Sequence, residues 1–257
     1  ELSIVATGRC AGLPFHLATS ADGAWITNDY TISLLPAANV LRHDSERAAT
    51  GDRILVVEGE PMPGSAFEIA KVGQAFREQD TITASEATRP RVWSALGRHE
   101  VVHFACHARA NLDSPLDSSL LLPSGEELSM RDLLMRDISG TQLVVLAACE
   151  THPQLERFSD EALTLASGFL YAGATGVIAS LWPVPSLSTA ELMVRYYEIW
   201  RQNPLGVRPA EALQRAQREL RETDPRTREQ LFPELYVRGN AHVEHMDHWG
   251  AFVFIGH

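Results

Sequence analysis

Short, fully apolar runs recur along this chain and alternate with stretches of helical periodicity. Runs of this kind, without polar alternation, are typical of strands buried on both faces of a parallel sheet. The runs are 54–57, 101–107, 143–148, 176–182 and 251–255. Amphipathic stretches predict helices at 65–77, 89–96, 160–171, 188–202 and 209–222. Strand alternating with helix predicts an α/β fold with a mainly parallel sheet and helices on both of its faces.

The first fifty residues lack helical periodicity. Turn-forming residues there separate two short apolar stretches, 24–27 and 30–35, and this pattern predicts a β-hairpin. We therefore expect residues 1–50 to form a β-rich extension of the same domain, and residues 51–257 to form its main body.

Local signals predict several turns and helix ends in the main body. Residues 120–125 predict a small hairpin that leaves the sheet. Ser129 is placed to cap a helix over 130–136, and Gly173 to end the helix over 160–171. The segment 223–247 is rich in charge and histidine, and we expect it to be a mobile loop.

Composition and charge exclude several classes of protein. The 257 residues are 45% hydrophobic and carry a formal net charge of −11, which disfavours direct binding to nucleic acid. No apolar run approaches the roughly 20 residues needed to span a bilayer. Three cysteines, an odd number, argue against a disulfide scaffold and predict a reducing, cytoplasmic location. A chain that begins at Glu1 predicts a piece of a larger protein.

Two of the apolar runs end in side chains capable of chemistry, His107 and Cys149. Ligands of open α/β sheets bind beyond the carboxyl ends of the strands, and neighbouring strand ends are roughly 5 Å apart. An imidazole there could serve a thiol nucleophile. His103 lies inside its run, where a hydrogen-bonded core role is favoured, and Cys106 points to the opposite face from His107, where packing is favoured.

Several segments together resemble a known family, the CHAT domain, a branch of the caspase-like and separase-like cysteine peptidases. The segments that carry the resemblance are 29–36, 103–108, 114–118, 143–151, 172–176, 180–184, 210–213 and 249–252. The resemblance covers nearly the whole chain, from about Leu13 to Gly256. It implies a caspase-like α/β/α sandwich with about six strands and a cysteine endopeptidase whose catalytic dyad is His107 and Cys149.

The same resemblance implies roles beyond the dyad. Ala108 stands where caspases commonly carry glycine, and the backbone N–H groups of Ala108 and Cys149 would form the oxyanion hole. Such domains usually follow tetratricopeptide or sensor domains in larger bacterial proteins. A role as the effector domain of a sensor or defence protein, acting on a protein or peptide substrate, is therefore expected.

The loop after the fourth apolar run is implied to line the pocket for the residue before the scissile bond. It consists of Trp182, Pro183, Val184, Pro185 and Ser186. Relatives often have an aspartate here, and its absence disfavours a pocket that selects arginine or lysine. The other acidic residues that could enter the pocket are Asp113, Asp117, Glu150 and Asp160, although each is more often a solvated loop charge.

No cofactor is expected. His242, His245 and His248 lack the additional ligands of a tetrahedral zinc site, and no glycine-rich phosphate loop follows a strand. One alternative stays open, because a fold does not settle activity. The chain could be a catalytically silent caspase-like module that serves as a scaffold or senses a ligand.

Overall fold

The computed structural model describes residues 1–6, 10, 13–36, 51–109, 111, 113–147, 149–150, 160–203, 206–236 and 246–256. For residues 124, 149–150, 160–164, 225 and 246–247 this description covers the backbone but not the side chains. The strands in these ranges are β1 (Leu2–Ile4), β2 (Ile32–Leu34), β3 (Arg53–Glu58), β4 (Glu78–Ile82), β5 (Val101–Ala105), β6 (His107–Arg109), β7 (Ser119–Leu121), β8 (Glu127–Ser129), β9 (Leu143–Leu146), β10 (Cys149–Glu150), β11 (Gly176–Ser180) and β12 (Phe252–Gly256).

These strands form one large sheet and one small sheet. The main sheet has eight strands in the order β1-β2-β12-β11-β9-β5-β3-β4, and all neighbours are parallel except β11 and β12. The mostly parallel α/β architecture is therefore confirmed. The sheet is wider than the expected six strands because β1 and β2 extend it beyond β12.

The N-terminal hairpin prediction is wrong. β1 and β2 pair in parallel, with Leu2 opposite Ile32, while the stretch predicted as the first hairpin strand forms a 3₁₀ turn at Ile26–Asn28. Both strands gain their hydrogen-bond partners from the main sheet, not from a local turn. The division of the chain near residue 50 stays a prediction.

The small sheet has four strands in the order β10-β6-β7-β8. Strands β6, β7 and β8 are successively antiparallel, whereas β10 pairs with β6 in parallel. The hairpin predicted from residues 120–125 is confirmed, because β7 and β8 pair across that turn. This sheet carries the two residues predicted to form the dyad, so it positions the site.

Helices cover both faces of the main sheet. They are α1 (Ser65–Gln74), α2 (Arg89–Ala95), α3 (Met130–Leu133), α4 (Asp160–Tyr171), α5 (Ser186–Gln202), α6 (Pro209–Glu222), α7 (Pro225–Leu231), α8 (Pro233–Tyr236) and α9 (Met246–Trp249). One hydrophobic core packs α1, α5 and α6 against one face, and the other packs α2, α3 and α4 against the opposite face. Along β3, Ile54 and Val56 enter the first core, and Leu55 and Val57 the second. The three-layer sandwich is thus confirmed.

Both predicted helix ends are confirmed. Ser129 accepts a hydrogen bond from the Asp132 N–H, and the Asp132 carboxylate accepts one from the Ser129 N–H, forming a capping box before α3. Gly173 follows α4 with a φ of +113°, and the Ala174 N–H donates to the Phe169 carbonyl at 3.0 Å. These local signals fix where α3 begins and α4 ends.

The segment predicted as a mobile loop, 223–247, contains structure. Helices α7 and α8 lie within it, and Phe232, between the two helices, and Leu235 of α8 are buried in the core. The remaining part, 237–245, lies outside the described residues. None of the helices in the described ranges is long and apolar enough to cross a membrane.

Residues 13–30 pack against the C-terminal end of the chain. The buried His16 donates a hydrogen bond from Nε2 to the Gly250 carbonyl at 2.7 Å. Trp25 packs edge-on against Trp249, and the Arg221 guanidinium lies 4.7 Å from the centre of the Trp25 ring. These contacts join the N-terminal segment to the main core.

Candidate active site

The backbone register brings the two predicted catalytic residues to neighbouring positions. In the main sheet β5 and β9 are adjacent, with Val101 opposite Leu143. The chain leaves β5 at Cys106 and pairs again as β6, where His107 stands opposite Cys149 of β10. The offset between partners is the same in both sheets, so the two strands bend out of the main sheet together and keep their register. Adjacent strands lie about 4.8 Å apart, and the backbones of His107 and Cys149 are therefore direct neighbours.

His107 is half-buried on β6, and its ring is incompletely hydrogen-bonded. Its Nδ1 atom is buried and has no hydrogen-bond partner in the part of the chain that the structure describes. A buried polar atom without a partner costs free energy, about 1–3 kcal/mol. The side chain of Cys149 lies outside the described part of the chain.

Ala108 is buried between two strands of the small sheet. It stands opposite Leu120 of β7 on one side and Glu150 of β10 on the other. The backbone N–H of a residue inside a sheet points towards one of its neighbouring strands. Its use as an oxyanion donor, together with the N–H of Cys149, stays a prediction.

The other histidine and cysteine of this region have core roles. His103 is fully buried, with Nε2 3.1 Å from Glu68 Oε1 and Nδ1 3.3 Å from the Tyr197 hydroxyl. Burial raises the pKa of Tyr197 well above its ordinary value, so this hydroxyl stays protonated. Cys106 is fully buried in the core that packs against α2, α3 and α4. Both predictions, a hydrogen-bonded core histidine and a packed cysteine, are confirmed.

The loop predicted to line the substrate pocket continues from the carboxyl end of β11. Because β11 lies beside β9, this loop is next to the path that leads to Cys149. Trp182 is half-buried and packs against both hydrophobic cores, and Val184 is buried. Pro183 and Pro185 are exposed, and the half-buried Ser186 begins α5. This loop thus presents an indole and two prolines, and none of its five residues carries a carboxylate.

The acidic residues predicted for the pocket differ in their hydrogen bonds and in their exposure. The Asp117 carboxylate accepts hydrogen bonds from the Ser114 hydroxyl at 2.5 Å and from Arg131 at 2.9 Å. These two partners hold the pKa of Asp117 below its ordinary value. Asp113 is exposed on the same loop, and for Glu150 and Asp160 only the backbone is described. Asp117 is therefore already paired with a cation of its own chain.

The histidines considered for zinc do not all lie in the described part. His242 and His245 fall outside it, and Nδ1 of His248 lies 2.9 Å from the Ser188 hydroxyl. Among the residues that the structure does describe, no three His, Cys, Asp or Glu side chains are grouped to hold a metal ion.

Comparison with known proteins places this geometry among cysteine peptidase folds. The sequence model described as CHAT domain matches residues 1–257. The separase chain of the Saccharomyces cerevisiae separase–securin complex superposes with a TM-score of 0.60 and 13% identity, over 96% of this chain and 15% of that one. The Arg-specific cysteine proteinase gingipain R superposes with a TM-score of 0.52 and 10% identity, over 88% of this chain and 54% of that one.

One curated relative is also similar in sequence. Tetratricopeptide repeat protein 28 of Homo sapiens is 25% identical over 235 residues, which are 76% of this chain and 8% of the human protein. The chain thus spans a small part of the human relative and of separase, and about half of the gingipain chain. At these identities the solved structures establish the fold.

Proposed function

Since this chain belongs to the CHAT domain family, we propose that it is a cysteine endopeptidase with Cys149 as nucleophile and His107 as general base and acid. One observation carries the proposal, the register in which His107 of β6 stands opposite Cys149 of β10. The buried Nδ1 of His107 supports it, since a neighbouring thiol would supply the partner that this atom lacks among the described residues.

The proposed reaction begins when the Cys149 sulfur attacks the carbonyl carbon of the scissile peptide bond and the His107 imidazole takes the thiol proton. The resulting oxyanion would be stabilised by the backbone N–H groups of Ala108 and Cys149. The carbon–nitrogen bond then breaks, and the imidazolium returns its proton to the leaving amine. Water, deprotonated by His107, hydrolyses the thioester and restores the thiol.

We expect the pocket for the residue before the scissile bond to prefer an uncharged or apolar side chain. An unpaired arginine or lysine in such a pocket costs several kcal/mol unless a carboxylate faces it. Among the candidates, Asp117 is already bound to Arg131, and Trp182 and Pro185 contribute no charge. Of the four acidic candidates, Asp113, Glu150 and Asp160 could still supply one.

A larger protein context is part of the proposal. The named human relative is a tetratricopeptide repeat protein, which is consistent with a domain that such repeats or a sensor domain would regulate. We propose that the chain acts as the effector of a bacterial, cytoplasmic sensor or defence protein.

A peptide-library digest tests the proposed activity directly. Wild type should cleave a subset of peptides, Cys149→Ala and His107→Ala should lose cleavage, and Cys10→Ser should keep it because Cys10 is an exposed cysteine outside the site. If folded wild type cleaves no peptide, or if Cys149→Ala cleaves as well as wild type, the peptidase assignment is wrong. The first of these results would favour a scaffold or ligand-sensing module instead.

A further inference from the structure

Gly59 lies against the bend that separates the main sheet from the strand of His107. The last paired residues of β3 and β5 are Glu58 and Ala105. The Gly59 N–H extends this ladder by one hydrogen bond, which it donates to the Ala105 carbonyl at 2.8 Å. Gly59 is itself buried, and the next residue along β5 is Cys106, where the chain turns towards β6.

There is no room for a side chain at Gly59. A Cβ atom placed there would lie 2.5 Å from the Cys106 Cβ and 2.7 Å from the Cys106 Cα. Carbon atoms in ordinary contact are about 3.5–4.0 Å apart, so the added methyl group would have to displace the Cys106 backbone. The φ of Gly59 is outside the left-handed region, and alanine can adopt its conformation. The requirement for glycine is therefore one of space alone.

Cys106 has little space to move away from Gly59. Its side chain is fully buried in the hydrophobic core, and His107 follows it directly in the chain. A displacement of Cys106 by about 1 Å would therefore be passed on to His107, because close-packed interiors transmit strain.

We propose that Gly59 is a positioning residue for the reaction: its close fit under the Cys106 bend sets where β6 presents the His107 imidazole to Cys149. This inference rests on the proposed peptidase function, since it assigns to Gly59 the geometry of that dyad. The proposed role involves no contact of Gly59 with substrate or with the reacting atoms.

The variant Gly59→Ala tests the inference. We expect kcat on a cleaved peptide to fall by about 100-fold, the size of effect that a misplacement of about 1 Å produces, while KM stays within about threefold. The matched control is Gly73→Ala. The three atoms nearest to a Cβ at that position all belong to the end of the Gln79 side chain, which can move away, so kcat should stay within about twofold of wild type.

A second readout does not depend on peptide cleavage. In a Cys10→Ser background, the rate at which iodoacetamide alkylates Cys149 is measured from pH 5 to pH 9 for wild type, Gly59→Ala and His107→Ala. Since the imidazole promotes formation of the thiolate, Gly59→Ala should shift from the wild-type profile towards the His107→Ala profile. Unfolding of each variant by urea shows whether the fold persists.

The outcomes separate this inference from the function on which it rests. A folded Gly59→Ala with wild-type kcat and alkylation profile would overturn the role of Gly59. If Gly59→Ala does not fold, the double variant Gly59→Ala/Cys106→Gly is used instead. It removes the 2.5 Å contact with the Cys106 Cβ but keeps the 2.7 Å contact with the Cα of residue 106. That variant should still alkylate more slowly than wild type, and wild-type alkylation would overturn the inference. A wild-type profile that does not depend on His107 would refute the dyad itself.

Discussion

The buried His16 should make the protein less stable as the pH falls. Its side chain is 5% exposed and donates to the Gly250 carbonyl, which fixes residues 13–30 to the turn before β12. Burial lowers the pKa of His16 from 6.5 to about 4, and the hydrogen bond to Gly250 only partly opposes this shift. The native protein therefore keeps the ring neutral at a pH where the unfolded chain is protonated.

The sign and size of the effect follow from proton linkage. Above pH 6.5 the ring is neutral in both states, and between pH 6.5 and about 4 only the unfolded state binds the proton. Over that window the free energy of unfolding falls by about 1.4 kcal/mol for each pH unit, or about 3 kcal/mol in total. Below about pH 4 both states are protonated, and the loss is complete.

The substitution His16→Gln isolates this contribution. Glutamine can still donate an N–H to the Gly250 carbonyl, but it does not titrate. At pH 7.5 the variant should be less stable by about 1 kcal/mol, because the hydrogen-bond geometry is imperfect. At pH 4.5 the variant should be at least as stable as wild type, because protonation of His16 in the unfolded state has lowered the unfolding free energy of wild type by about 2–3 kcal/mol.

Urea unfolding followed by tryptophan fluorescence at pH 7.5, 6.0 and 4.5 measures both proteins. The quantity to compare is the difference in unfolding free energy between the two proteins. Protonation of carboxylates such as Glu100, whose pKa is lowered by Arg53, also destabilises both proteins in acid and cancels in that difference. If the difference in unfolding free energy between wild type and His16→Gln does not change between pH 7.5 and 4.5, His16 is not buried as described and the reasoning fails.

Two further predictions follow from the same structure. Gly173→Ala should lower the free energy of unfolding by more than about 2 kcal/mol, since φ is +113° and a Cβ would lie 2.9 Å from the Ser139 backbone; a urea midpoint within error of wild type would contradict this. Matched peptides that differ only before the scissile bond should show leucine cleaved at least as fast as arginine. If arginine is preferred by more than about tenfold, or 1.4 kcal/mol, a carboxylate faces that pocket, and substitution of Asp113, Glu150 and Asp160 would identify it.

The elements that the sequence predicts well are those whose signals are local. Strands β5 and β9 are continuous apolar runs because both faces of the sheet are covered, and α6 begins at Pro209 as an N1 proline predicts. Helix α7 lies in the segment predicted as a loop, although its sequence carries a local helix signal. Asp224 accepts hydrogen bonds from the N–H groups of Arg226 and Thr227, and Pro225 follows it as the first helical residue.

Other features depend on contacts between distant parts of the chain. The run 101–107 contains no break, yet it divides at Cys106 because β6 pairs with β7 and β10 outside the main sheet. Strand β2 pairs with β12, more than two hundred residues later, so no local pattern predicts its parallel direction. The sequence predicts His107 and Cys149 as the candidate dyad. It does not predict a role for Gly59, because a glycine after a strand ordinarily indicates a turn. The close approach of Gly59 to Cys106 exists only in three dimensions.

The proposed function requires Cys149 to be a nucleophile that His107 activates. A peptide ending in a thiol-reactive ketone, selected from the library digest, is incubated with wild type, Cys149→Ala and His107→Ala, all in a Cys10→Ser background because Cys10 is exposed. The modified residue is located by mass spectrometry. We expect wild type to be labelled at Cys149 and not at the buried Cys106, His107→Ala to react at least about 100-fold more slowly, and Cys149→Ala to remain unlabelled. Undiminished labelling of Cys149→Ala, or equal rates for wild type and His107→Ala, would contradict the account.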